Sequence, residues 1–144
     1  MKKYFSILLM ALCCMFTACS KDSKEKVLAY DLLPEPAKQL ISTYFNPDNV
    51  ILVTLEEGEY EVKFNDGCSL EFSKSGELRN VDCQTNEVPS GLIPLPVQQY
   101  VSENFPNTFI TEWGKEGKKY YKAELNTGIG LIFNKSYEFV RLDD

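Results

Sequence analysis

The chain has 144 residues, with 15 basic and 21 acidic side chains, no histidine and a formal net charge of −6. That length suits one domain, or two small units sharing a core. The acidic balance argues against nucleic acid and against an electrostatic grip on anionic lipid, and the missing histidine removes the commonest general base and metal ligand.

Met1, Lys2 and Lys3 precede an unbroken apolar run from Ile7 to Phe16. A basic start and a short apolar stretch form the layout of a secretory signal. Ten residues are too few to cross a hydrocarbon core, which needs about 20. The next residues, Phe16-Thr17-Ala18-Cys19-Ser20, resemble the lipobox of bacterial lipoproteins, in which the Cys is lipidated and becomes the new N-terminus. Phe16 departs from the usual aliphatic residue. Cys13 and Cys14 lack a small residue before them and are poorer acceptors. The competing reading is an ordinary secretory signal cleaved nearby, with Cys19 incidental. The signal is expected over residues 1–18, with lipid on Cys19 and a solvated tether over 19–29. Without Lys2 and Lys3 there are 13 basic against 21 acidic side chains, a net charge of −8. Membrane attachment then rests on acyl chains alone.

Two further blocks repeat. Leu33 to Ser42 recurs as Ile93 to Ser102, 60 positions on, and Phe45 recurs as Phe105. Asn65 to Ser75 recurs as Asn126 to Ser136, 61 positions on. Two copies of this size indicate a duplicated small domain, with units expected over 30–88 and 89–144. Each copy opens with a helix. Ala37, Leu40, Ile41, Tyr44 and Phe45 mark one face behind Pro36, and Val97, Tyr100, Val101 and Phe105 mark the other copy behind Pro96. Strands follow over Val50 to Leu55, Glu59 to Asn65, around Cys68 to Phe72, and Glu77 to Cys83. The second copy gives Phe109 to Trp113, Tyr120 to Asn126, Ile129 to Asn134 and Tyr137 to Leu142. Each copy thus predicts one helix and four antiparallel strands, with one sheet face packed and the other wet.

The pattern L-P-x-P-helix-F, followed by Y-x-V-x-F-N-D-G-x-x-L-x-F, resembles the PepSY-like family of β-lactamase-inhibitor-like proteins, common as short lipoproteins in Bacteroidetes. The resemblance covers about residues 30–144. It implies an α+β fold of two tandem helix-plus-four-stranded repeats forming one curved sheet, with helices on one face. The family name records a shape similarity to an inhibitor. No catalytic residue belongs to the pattern, so none is carried over.

Several constellations bear on chemistry. Glu56, Glu57, Glu59 and Glu61 would need a looped backbone to hold Ca²⁺; strand alternation scatters them, and they read as a solvated acidic face. No phosphate loop, nucleophile elbow or metalloprotease motif occurs. Neither a cofactor nor a metal is expected. Ile51 is taken to match Ile110, both facing the helices. Trp113 then shares the wet face with Phe109, Tyr120 and Ile132, an apolar patch of the kind that marks binding sites. The parity is open, because Gly114 and Gly117 can introduce a bulge that turns Trp113 into the core.

Cys68 and Cys83 form a candidate disulfide, since exported chains meet an oxidising space. A two-residue loop at Ser75-Gly76 places the two directly opposite one another. If Gly76 instead takes the left-handed position of a bulged turn, the register shifts by one and the sulfurs separate. The functional expectation is a non-catalytic module that binds or inhibits an envelope protein or peptide. The alternative is a small-ligand lipoprotein taking a peptide or glycan fragment, which needs a concavity between the repeats. An envelope hydrolase is the least supported class.

Overall fold

The structure is a computed structural model and describes residues 24–143; Cys19 and the expected signal lie outside these residues. Helix α1 (Glu35–Tyr44) starts where the Pro34 carbonyl accepts from the N–H groups of Ala37 and Lys38, at 3.0 and 3.2 Å. Pro36 fits this first turn because its missing N–H would have no partner there. Helix α2 (Leu95–Asn104) repeats the device, with Val97 and Gln98 donating to Pro94. Each helix buries one narrow stripe, Ala37 and Ile41 in the first, Val97 and Val101 in the second.

Among the described residues, nine strands form one antiparallel sheet in chain order. They are β1 (Lys26–Val27), β2 (Val50–Glu56), β3 (Glu59–Phe64), β4 (Ser69–Phe72), β5 (Leu78–Asp82), β6 (Ile110–Glu116), β7 (Tyr120–Leu125), β8 (Gly130–Phe133) and β9 (Phe139–Asp143). Val62, Leu70, Phe72, Val81, Leu131 and Phe133 join the buried residues of both helices in a single core, so α1 and α2 cover the same sheet face. The fold is therefore α+β, with two helix-plus-four-strand repeats continuous through a β5–β6 seam.

Strand β1 lies within the segment 19–29, where the sequence predicts a solvated tether. Lys26 and Val27 pair with Leu55 and Thr54, and the Leu28 N–H donates to the Val53 carbonyl at 2.9 Å. Two residues carry no periodicity to read, yet they satisfy backbone groups that β2 would otherwise leave at an open edge.

The β4–β5 turn reconciles the two disulfide registers. The Ser73 N–H donates to the Glu77 carbonyl at 2.8 Å, and Gly76 adopts φ +87°. Gly76 therefore occupies the left-handed position, which shifts the register by one. A second irregularity follows at once: Phe72 pairs with Leu78 and Glu71 with Asn80, leaving Arg79 extra. This returns the register to Leu70–Val81 and Ser69–Asp82. Cys68 and Cys83 are joined, with Cα atoms 3.9 Å apart. The second repeat has the same pair of irregularities, with Tyr137 at φ 61° in place of Gly76 and Val140 extra in β9. A left-handed non-glycine costs about 1 kcal/mol. The Tyr137 ring offsets this by packing against Tyr121, at a centroid distance of 5.2 Å.

Candidate functional site

The expected aromatic patch does not assemble. In β6, Ile110 pairs with Leu125 and Glu112 with Glu124, so Thr111 is an extra residue. One extra residue inverts the parity beyond it. Trp113 consequently lies opposite Val81 and Ala123 on the helix side, only 5% exposed. It stacks on Tyr121 at 5.3 Å and 6°, and meets Phe133 and Tyr137 at 6.2 Å. The matching irregularity in β2 falls between Val50 and Leu52 and leaves Ile51 exposed. Val50 therefore matches Ile110, and Val53 matches Trp113; pairing Ile51 with Ile110 is off by one residue. Ile132 does lie on the uncovered face, in register between Lys122 and Arg141, but it is fully buried. Phe109 is half-buried beside α2, lining a hollow of about 160 Å³ with Val88, Ile93 and Val101. Tyr120, 40% exposed at the β6–β7 hairpin, alone of the four is an exposed aromatic.

What the uncovered face offers is charge. Directly opposed in register are Glu56 and Glu59, Glu61 and Glu71, Asp82 and Glu112, and Glu112 and Glu124. Like charges opposed across strands are destabilising, each such contact by about 0.2–1 kcal/mol. Some relief is built in. Lys63 bridges Glu61 at 3.2 Å, and Lys122 bridges Glu124 and Asp143 at 3.4 and 3.1 Å.

At the seam the face sinks into a depression of about 410 Å³ lined by Glu59, Glu71, Asn80, Glu112, Gly114 and Lys122, among others. Gly114 makes its floor possible. A Cβ there would collide with the Asn80 carboxamide and stand 2.9 Å from the Arg79 carbonyl. Asn80 Nδ2 donates to Glu112 Oε1 at 3.3 Å. The Glu71 carboxyl is held above its ordinary range by the protein crowded around it, then by Glu61, Glu59, Glu112 and Asp82, although its outer end reaches solvent. Glu112 is raised by partial burial, with the Asn80 hydrogen bond opposing and Asp82 reinforcing the shift. Lys122 is raised, chiefly by its hydrogen bond to Asp143. Among the described residues no group of three or more His, Cys, Asp or Glu side chains is placed to hold a metal ion.

Residues 20–80 and 58–141 each match the family described as "Putative beta-lactamase-inhibitor-like, PepSY-like". The chain belongs to the PepSY-like family. A solved structure from Bacteroides thetaiotaomicron, described as a "putative calcium-regulated periplasmic protein", is 30% identical with a TM-score of 0.78, covering 83% of this chain and 97% of that one. A "putative periplasmic protein" from Bacteroides vulgatus is 28% identical with a TM-score of 0.79, covering 85% and 99%. A second B. vulgatus structure, described as of unknown function, is 28% identical with a TM-score of 0.78, covering 83% and 99%. No curated protein matches the chain. The periplasmic descriptions support an exported, envelope location for this PepSY-like chain.

Sequence reasoning missed Glu71, Asn80, Glu112, Gly114 and Lys122. One signal was present. A turn centred on Asn65-Asp66-Gly67 sets Glu61 opposite Glu71, so the first carboxylate pair of this PepSY-like sheet could have been counted out. The Asp82–Glu112 pair spans the two repeats, and no hairpin turn fixes that register.

Proposed function

We propose that this PepSY-like protein is a lipid-tethered, non-catalytic envelope module whose uncovered sheet face binds a cationic segment of a partner protein. The observation that carries this reading is the run of carboxylates opposed to carboxylates across β2–β3, β3–β4, β5–β6 and β6–β7. A fold gains nothing from such pairs, whereas lysine or arginine from a partner relieves them on binding. Titration with a lysine-rich peptide is expected to give saturable binding that weakens steeply with salt, while a glutamate-rich peptide of equal length does not bind. Equal binding of both peptides, or no salt dependence, contradicts the reading.

A second reading has its own support. The seam depression lies between the repeats, and about 410 Å³ falls within the usual range for small-molecule sites. A peptide or glycan fragment with a cationic group could occupy it. Competition separates the two: a short cationic fragment that displaces the long peptide completely favours the depression, and one that does not favours the broad face. Because one relative is described as calcium-regulated, Ca²⁺ forms a further arm of the same competition.

The tether is tested independently. Cys19→Ala is expected to move the chain from the membrane to the soluble fraction, and the wild type is expected to incorporate labelled fatty acid. A membrane-bound variant together with an unlabelled wild type would show that Cys19 is not the anchor.

A further inference from the structure

The internal duplication shows what one edge of the sheet is shaped to receive. At the seam, the Cys83 N–H donates to the Thr111 carbonyl at 2.9 Å. Two residues along, Val81 opposes Trp113 in the same kind of hydrogen-bonded pair, and Val81 is 0% exposed. Leu142 is the counterpart of Val81, because Leu131–Leu142 repeats Leu70–Val81. Its N–H and C=O therefore point away from β8, to an edge on which no described strand lies. Leu142 is 48% exposed where Val81 is covered. Its carbonyl accepts from its own neighbour, Arg141 Nη1, at 3.0 Å.

We infer that β9 pairs antiparallel with β9 of a second copy, about a twofold axis through Leu142. This register opposes Leu142 to Leu142 on the helix side. It also sets Arg141 opposite Asp143 of the second copy, and Asp143 opposite Arg141, on the uncovered face. The edge is thus complementary to itself, as a twofold interface requires. Centring the axis on Arg141 would oppose two guanidinium groups instead. The Arg141 guanidinium that shields the Leu142 carbonyl is the group that turns to Asp143 of the second copy. The paired strands are short, so the dimer is weak and concentration-dependent in solution; confinement to a membrane surface raises the effective concentration. The sheet continues from one copy to the other, and the two acidic faces lie on the same side. This inference stands independently of what those faces bind.

Residues 20–144 hold every described element and serve for the test. Sedimentation over a concentration series is expected to show a reversible monomer–dimer equilibrium. Arg141→Glu and Asp143→Lys each set like charges against one another, and each is expected to weaken self-association about tenfold. Mixing the two variants restores one pair of opposite charges and one native pair, so heterodimers are expected at wild-type strength. Leu142→Cys is expected to give a covalent dimer on mild oxidation. A single cooperative melting transition establishes that each variant is folded, with Asp143→Lys expected to melt lower because it also loses the Lys122 bridge within its own copy. A monomer at every concentration, or a dimer indifferent to both charge substitutions and not cross-linked through position 142, overturns the inference.

Discussion

Trp113→Ala is expected to lower stability by about 3–5 kcal/mol, as emptying a buried indole site does. The stack on Tyr121 and the contacts with Phe133 and Tyr137 go together. Tyr100 extends this cluster by stacking on Phe139 at 4.6 Å. In a domain of ordinary stability, about 5–15 kcal/mol, the loss lowers the thermal midpoint by roughly 10–20 °C. Tyr120→Ala is the control, expected within about 0.5 kcal/mol of wild type because that ring is exposed. Thermal melts of both variants check the pair. If Trp113→Ala melts like the wild type but no longer binds a cationic peptide, the tryptophan belongs to a binding site and its core placement is wrong.

Removing the disulfide with Cys68→Ser and Cys83→Ser is expected to cost about 3 kcal/mol, for a bridge with a sequence separation of 15. Both sulfurs sit within the core, so two buried hydroxyls add their own penalty. The second repeat has no equivalent bridge; Ile129 stands exposed where Cys68 is buried. Its aromatic cluster is the corresponding fastening, which is why the two substitutions weaken different halves of the same sheet. Denaturant melts are expected to place the wild type in reductant between the oxidised protein and the double variant, because reduction removes the bridge without burying hydroxyls. Two alkylatable thiols in the unreduced native protein would contradict the bond.

Much of the architecture was legible because the duplication states each element twice. The Pro36 and Pro96 helix starts and the Gly67 and Gly128 turns recur at nearly constant spacing, and alternation such as Tyr60, Val62 and Phe64 identifies a packed face. The face on which Trp113 lies was not legible. Its parity depends on Thr111, a β-branched residue with good strand propensity and no sign of a bulge, whereas Gly114 and Gly117 downstream are of the residue type that ordinarily marks one. Gly114 is needed for the close approach of Asn80, not for a bulge. The β4–β5 turn defeated counting differently: two compensating irregularities, at Gly76 and Arg79, leave the distant register where a simple hairpin would put it. The acidic site was obscured because Asp82 and Glu112 become neighbours only through the seam.

The carboxylates also set a pH dependence. Glu71 and Glu112 hold their protons more tightly in the folded chain than the ordinary value of 4.5. The native state therefore binds more protons than the unfolded state over the range from 4.5 up to the raised values. Their contribution to stability falls as pH rises through that range. Glu77 acts in the opposite sense: its hydrogen bond to Lys115 lowers its value, so its contribution is present above 4.5 and fades as pH falls. Above that range the two raised carboxylates work against the fold.

The affinity of a lysine-rich peptide for the Glu71→Gln, Glu112→Gln double variant, with the thermal midpoint recorded in the same samples, tests the central claim most directly. The account predicts a higher midpoint than wild type at neutral pH, since repulsion is removed without changing shape, and an affinity lower by about tenfold or more. A folded variant that binds as tightly as the wild type would contradict it, by showing that these carboxylates are not what the partner reads.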